Sequence, residues 1–143
     1  MTDDSVARKH VLIVEDEPDF AALLQSILRN AGYTAATAYN SEDALLQVRS
    51  TRPNVITLDM QMPRESGAMF YRKLKGDEKL RDIPVVVVTG VTRDDTDMKT
   101  LVRSLLEPDN VPHPEAYLEK PVDGPSLLKT IEEAISAGKP ASC

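Results

Sequence analysis

Four short polar segments of this 143-residue chain carry side chains that could do chemistry together. Each ends a run of mainly aliphatic residues, and the segments are Glu15-Asp16-Glu17, Asp59, Thr89-Gly90 and Lys120-Pro121. If the carboxylates met, they would repel each other and raise one another's pKa unless a cation shared the site. Mg²⁺ binds through a few carboxylates plus water, so it is the natural cation for such a set.

A site of this composition is suited to a phosphoryl group. Phosphoryl transfer needs an in-line nucleophile, a divalent cation and fixed donors for the equatorial oxygens. Asp59 is the most central nucleophile, because a carboxylate can form an acyl phosphate, and Asp16 is better placed for the metal. Taken singly, the acids near residue 16 could simply favour a helix start, and Thr89 and Lys120 are common strand-end and surface residues. Their convergence on four strand ends favours a site.

Strands and helices alternate along the sequence. Aliphatic runs such as VLIV, VITL and VVVV indicate strands covered on both faces, and helical apolar spacing occurs between them. The predicted strands are His10 to Glu15, Tyr33 to Ala38, Asn54 to Asp59, Pro84 to Thr89 and Ala116 to Glu119. The predicted helices are Pro18 to Ala31 with Gly32 as C-terminal cap, Ser41 to Val48 with Ser41 as N-terminal cap, Ala68 to Lys75, Asp95 to Glu107, and Pro125 to Ala137.

This alternation predicts an α/β protein with a parallel sheet and helices on both faces. If the strand order is 2-1-3-4-5, it reverses between strands one and three, where ligands of such folds gather. The two acidic strand ends would then be neighbours, with Thr89 and Lys120 arriving from the strands on one side.

Length and composition predict one globular domain of a reducing compartment. We expect an N-terminal extension at 1–8, one domain at 9–137 and a tail at 138–143. The net charge of −6 argues against nucleic-acid binding, which needs a Lys/Arg surplus. The single cysteine, Cys143, allows no intrachain disulfide, and no membrane span or secretion signal is evident. A cytoplasmic location is therefore expected.

The motifs VLIVEDEPDF, LDMQMPRESG, VVVVTG and YLEKP together resemble a response-regulator receiver domain of two-component signalling, over roughly Lys9 to Ala137. The resemblance implies the flavodoxin-like (βα)5 fold. It implies phosphorylation at Asp59 and Mg²⁺ held by Asp16, Asp59 and the backbone carbonyl of Gln61, with Glu15 acting through water. It also implies that Lys120 binds the phosphoryl group and precedes a cis peptide to Pro121.

The resemblance further implies partners and a switch. The donor would be a phosphohistidine on a sensor histidine kinase or phosphotransfer protein. Thr89 and Tyr117 would move on phosphorylation, and the surface of the fourth helix, fifth strand and fifth helix would control an output domain or downstream protein. The chain would catalyse only its own phosphorylation and dephosphorylation. The sequence neither requires nor excludes a homodimer.

The sequence departs from the family pattern at about 94–115, where the region that comprises the fourth helix and the segment before the fifth strand is longer than usual. Pro108, Pro112 and Pro114 replace a short turn there, which is either a tolerated surface insertion or a partner-selecting loop. His113 in this segment is interpreted as incidental rather than catalytic.

Gln61 and Val91 flank the expected path of the hydrolytic water, and neither is charged, so slow self-dephosphorylation is predicted.

Two other functions compete with a phosphoacceptor. A receiver-like module could bind partners without phosphorylation, although Asp16, Asp59, Thr89 and Lys120 are all retained. A hydrolase with an Asp nucleophile would resemble a D-x-D pattern, but the second position is Gln61.

Overall fold

A computed structural model describes residues 9–60, 62, 66–90 and 114–138, which form five strands and four helices. The strands are β1 (His10–Val14), β2 (Thr34–Ala38), β3 (Val55–Leu58), β4 (Val85–Thr89) and β5 (Ala116–Glu119). The helices are α1 (Pro18–Asn30), α2 (Ser41–Ser50), α3 (Ser66–Gly76) and α4 (Gly124–Gly138). The predicted helix Asp95 to Glu107 lies outside the described residues, so α4 corresponds to the last predicted helix.

The five strands form one parallel sheet in the order β2-β1-β3-β4-β5, which confirms the predicted flavodoxin-like topology. In the register of β1 and β3, Val14 lies opposite Leu58. The residues that follow these two strands therefore emerge side by side at the carboxyl edge of the sheet, where the strand order reverses.

Helices cover both faces of the sheet, which explains why β1, β3 and β4 are predominantly aliphatic. We call these the α1/α4 face and the α2/α3 face. The α1/α4 face buries Val11, Ile13, Val55, Val86 and Val88 against Leu24, Leu28, Leu127 and Ile131. The α2/α3 face buries Leu12, Val14, Ile56, Leu58, Val85 and Val87 against Val48, Phe70, Tyr71 and Leu74.

The ends of α1 and α2 have different caps. Gly32 has φ 101° and its N–H donates to the Arg29 carbonyl, which confirms the predicted glycine stop of α1. The predicted Ser41 cap of α2 is wrong by one position. The Asn40 side chain accepts the Asp43 N–H at 2.8 Å, and Ser41 is already helical. Asn40 can cap because its backbone is extended, whereas a residue inside the helix cannot fold back onto that donor.

The outer edge of β2 is partly covered by long side chains of the adjacent helices. The Ala35 carbonyl accepts hydrogen bonds from Gln25 at 2.9 Å and Arg29 at 3.2 Å, both from α1. The Thr37 carbonyl accepts one from Gln47 of α2 at 2.8 Å. These bonds fix α1 and α2 relative to the edge strand and occupy acceptors that another strand would use. None of the described helices combines the length and apolar character that a bilayer crossing demands.

Candidate phosphorylation and metal site

Three carboxylates meet where β1 and β3 end. The Glu15 N–H donates to the Ala38 carbonyl at 2.9 Å, and the Asp59 N–H donates to the Val14 carbonyl at 3.0 Å. These backbone bonds extend the strand pairing by one residue and fix both acids at the sheet edge. Oxygens of Glu15, Asp16 and Asp59 lie within 4.8 Å of one another, so the predicted acidic cluster is formed.

Lys120 reaches this cluster from the end of β5. Its Nζ lies 3.1 Å from Glu15 Oε1 and 3.6 Å from Asp59 Oδ2. The Lys120 side chain is 21% exposed, whereas the Glu15 and Asp59 side chains are almost fully buried. The Lys120–Pro121 peptide is cis, as the resemblance implied. The Lys120 ammonium therefore lies beside the acidic strand ends, as predicted.

The ionisable groups of the site perturb one another. Burial, followed by the nearby charge of Asp59, raises the pKa of Glu15 to about 7, although Lys120 acts in the opposite direction. Burial lowers the pKa of Lys120, but its hydrogen bond to Glu15 and the charges of Asp59 and Glu15 outweigh burial and raise the pKa overall. The second Glu15 oxygen accepts the Glu17 N–H at 3.1 Å. Both oxygens of Glu15 are thus engaged within the protein.

The donor set fits a hard divalent cation. All three groups are carboxylates, and Lys120 does not fully offset the cost of clustering them, since burial and the charge of Asp59 still raise the pKa of Glu15. Mg²⁺ prefers oxygen ligands and keeps several waters, so it needs only one or two direct carboxylates. Asp16 is exposed and can offer its oxygens to such an ion, whereas Glu15 is 2% exposed.

The remaining predicted residues are described to different extents. The backbone of Thr89 ends β4, but its side chain lies outside the described part of the structure. Tyr117 is half-buried in β5 and packs against the core of the α2/α3 face. Gln61, Val91 and His113 lie outside the described residues, as do Pro108 and Pro112, whereas Pro114 is buried two residues before β5. The roles predicted for these residues stay predictions.

Two close contacts at the site were not predicted. The Phe20 ring of α1 lies over Lys120, with Nζ 4.4 Å from the ring centroid. Gly67, in the first turn of α3, lies so close to the end of β3 that a Cβ there would stand 2.3 Å from the Asp59 carbonyl oxygen. Gly67 belongs to the motif LDMQMPRESG, but its close approach to Asp59 was not predicted, and Phe20 was recognised only as part of the apolar pattern of α1.

Comparisons with known proteins agree on one family. A family model described as "Response regulator receiver domain" matches residues 11–132. Protein Rrf1 of Nitratidesulfovibrio vulgaris is 32% identical over 126 residues, which are 88% of this chain and 82% of that protein. The polar-differentiation response regulator DivK of Brucella anthropi is 32% identical over 87% of this chain and 94% of its own length.

Solved structures give the same result. The signal receiver domain of a signal transduction histidine kinase from Syntrophus aciditrophicus is similar with a TM-score of 0.75 and 32% sequence identity. That similarity covers 90% of this chain and 91% of the other. The fold, the acidic cluster and the extent of these matches show that this chain belongs to the response regulator receiver domains of two-component systems.

Proposed function

We propose that the chain accepts a phosphoryl group on the carboxylate of Asp59 and responds by changing shape. The observation that carries the proposal is the pairing of Lys120 Nζ with Asp59 Oδ2 at 3.6 Å, beside two further carboxylates. A nucleophile, a cation for the phosphoryl oxygens and a place for a metal are thereby within reach of one reacting phosphorus.

The proposed donor is a phosphohistidine of a sensor histidine kinase or phosphotransfer protein. A carboxylate oxygen of Asp59 attacks phosphorus and forms a P–O bond, while the P–N bond to the imidazole breaks. The electron pair of that bond stays on the ring nitrogen, and the proton on the other ring nitrogen makes the leaving imidazole neutral. The product is an acyl phosphate on Asp59, which water later hydrolyses back to the carboxylate.

Each neighbouring group has a proposed task. Asp16, Asp59 and the Gln61 carbonyl would hold Mg²⁺, with Glu15 acting through water, and the ion would neutralise charge on the phosphoryl oxygens. Lys120 would turn from the carboxylates to bind one of those oxygens. The movement would be small, because Nζ already lies 3.1 Å from Glu15 Oε1 and 3.6 Å from Asp59 Oδ2, the carboxylate that would carry the phosphoryl group. Glu15 holds Lys120 at the site until that happens.

The proposed switch uses β4 and β5. Thr89 and Tyr117 would bias two pre-existing conformations once the phosphoryl group is present. Thr89 lies opposite Glu119 in the register of these neighbouring strands, so the ends of β4 and β5 are paired side by side in the sheet. The changed surface would act on an output domain or a separate downstream protein, and a kinase donor would make this a cytoplasmic protein.

The test is uptake of one phosphoryl group. The protein is incubated with Mg²⁺ and phosphoramidate, whose P–N bond resembles that of phosphohistidine, and its intact mass is measured. We expect a single addition that Asp59→Asn and removal of Mg²⁺ both abolish. Asp19→Asn is the matched control, because Asp19 is an exposed acid of α1 outside the carboxylate cluster. Absence of uptake by the wild type would favour a module that binds partners without phosphorylation.

We also propose that the acyl phosphate is long-lived, because Gln61 and Val91 are uncharged. A lifetime of seconds for the purified phosphoprotein would contradict this proposal.

A further inference from the structure

We propose that Phe20 is a positioning residue that holds Lys120 at the phosphorylation site when Mg²⁺ and the phosphoryl group compete for its carboxylate partners. The inference rests on the proposed function of Asp59. Its structural basis is the distance of 4.4 Å between Lys120 Nζ and the centroid of the Phe20 ring, well within the range of a cation–π interaction.

The two carboxylates that bind Lys120 also belong to the cluster that fits a metal. Glu15 and Asp59 lie 3.1 and 3.6 Å from Nζ, and each also offers an oxygen to the cluster. A divalent cation that shares these oxygens weakens their attraction for the ammonium, because both cations draw on the same negative charge. Phosphorylation then converts the carboxylate of Asp59 into an acyl phosphate. The aromatic ring is not a metal ligand and its attraction for Lys120 persists through both events.

Packing makes the ring a fixed platform. Phe20 is the third residue of α1 and is half-buried, packed against the core of the α1/α4 face. The Lys120 side chain, at 21% exposure, is sheltered enough that a cation–π contact is worth more than at an open surface. The ring also covers Nζ without adding a charge, so it leaves the ammonium able to neutralise a phosphoryl oxygen. A carboxylate in the same place would itself neutralise the ammonium.

The test compares three variants of the full chain. Phe20→Leu keeps an apolar side chain but removes the ring, and Phe20→Tyr keeps the ring. Tyr33→Leu is the control, because Tyr33 packs against the same core but follows the other end of α1. For each protein, the rate of phosphorylation by phosphoramidate and the Mg²⁺ affinity are measured. The chemical shift of the Lys120 ε-methylene protons is recorded by NMR with and without Mg²⁺.

In the wild type we expect the Lys120 ε-methylene protons to be shifted upfield by the ring, both with and without Mg²⁺. Phe20→Leu should abolish this shift and slow phosphorylation roughly 2- to 30-fold with unchanged Mg²⁺ affinity. Phe20→Tyr and Tyr33→Leu should retain both the shift and the rate.

Loss of rate in Phe20→Tyr equal to that in Phe20→Leu would overturn the proposal, as would a wild-type rate in Phe20→Leu. Loss of the wild-type ring shift on adding Mg²⁺ would overturn it too. If neither the wild type nor any variant is phosphorylated but the ring shift of Lys120 persists in the wild type, the contact between Phe20 and Lys120 exists and the proposed function of Asp59 has failed instead.

Discussion

Replacing Gly67 by alanine tests how closely α3 packs against the proposed phosphorylation site. An added Cβ would stand 2.3 Å from the Asp59 carbonyl oxygen and 2.8 Å from Met60 Cα. Ordinary carbon–oxygen contacts are about 3.3 Å or longer, so α3 or the end of β3 must move by about 1 Å. Both obstructing atoms belong to the backbone, so no flexible side chain can turn away to make room.

The expected cost follows from two opposing effects. Overpacking typically costs about 1–3 kcal/mol, and a backbone obstruction belongs at the upper end of that range. Alanine regains about 1 kcal/mol over glycine through its higher helix propensity. We therefore expect Gly67→Ala to lower the free energy of unfolding by about 1–2 kcal/mol. Phosphorylation of Asp59 should also slow, because the backbone that carries this residue must shift.

Gly76 provides the matched control at the other end of α3. A Cβ at Gly76 would meet nothing within 4 Å, so Gly76→Ala should be neutral or stabilise the protein by up to about 1 kcal/mol. Denaturant unfolding of the two variants and the wild type, together with the phosphoramidate reaction, measures both effects. If Gly67→Ala proves as stable and as reactive as Gly76→Ala, the close approach of α3 to Asp59 does not exist in solution.

Three further predictions concern separate parts of the fold. Asn40→Ala should lower the free energy of unfolding by about 1 kcal/mol, because the Asp43 N–H loses its 2.8 Å acceptor; an unchanged denaturation midpoint would contradict the cap. Thr57→Val should stabilise the protein by up to about 1 kcal/mol in the same assay, since among the described residues nothing bonds the buried Thr57 hydroxyl, and a loss of stability would reveal a hidden partner. Because the pKa of Glu15 is raised to about 7 without metal, Mg²⁺ should bind more tightly as pH rises through 7 and release about half a proton there. Calorimetric titration in buffers of different ionisation enthalpy measures this release, and its persistence in Glu15→Gln would refute the assignment.

Much of the fold could be predicted because the relevant signals are local or periodic. The strands β1, β3 and β4 are buried on both faces and therefore predominantly aliphatic, and all five strands were predicted to within one residue at each end. The glycine stop of α1 was also predictable, because its positive φ of 101° strongly favours glycine. The α2 cap was predicted one residue late, because Asn40 and Ser41 are both good caps. Only the backbone conformation at Asn40 distinguishes them.

The contacts of the site that were missed join elements distant in sequence. Phe20 and Lys120 are far apart along the chain, and the helical pattern of α1 explains an apolar residue at 20 without any reference to Lys120. The same is true of Gln47, whose bond to the Thr37 carbonyl depends on how α2 lies against the edge strand. Periodicity predicts which face of an element is buried but cannot identify the single atom that a side chain contacts.

Glu15 and Asp16 at the end of β1 show that the residue at which a strand ends determines which side chains are buried and which are exposed. Glu15 continues the pairing of β1, so its side chain turns into the protein, where Lys120 and the Glu17 N–H occupy its two oxygens. Asp16, one residue later, has left the strand and is the exposed member of the same cluster. Adjacent acids of nearly identical intrinsic chemistry thus differ in burial and in the availability of their oxygens. Exchanging the two residue types would put the shorter side chain in the buried position, too far back to hold Lys120. The order Glu then Asp therefore suits a buried acid that holds the lysine and an exposed acid whose oxygens a cation could reach.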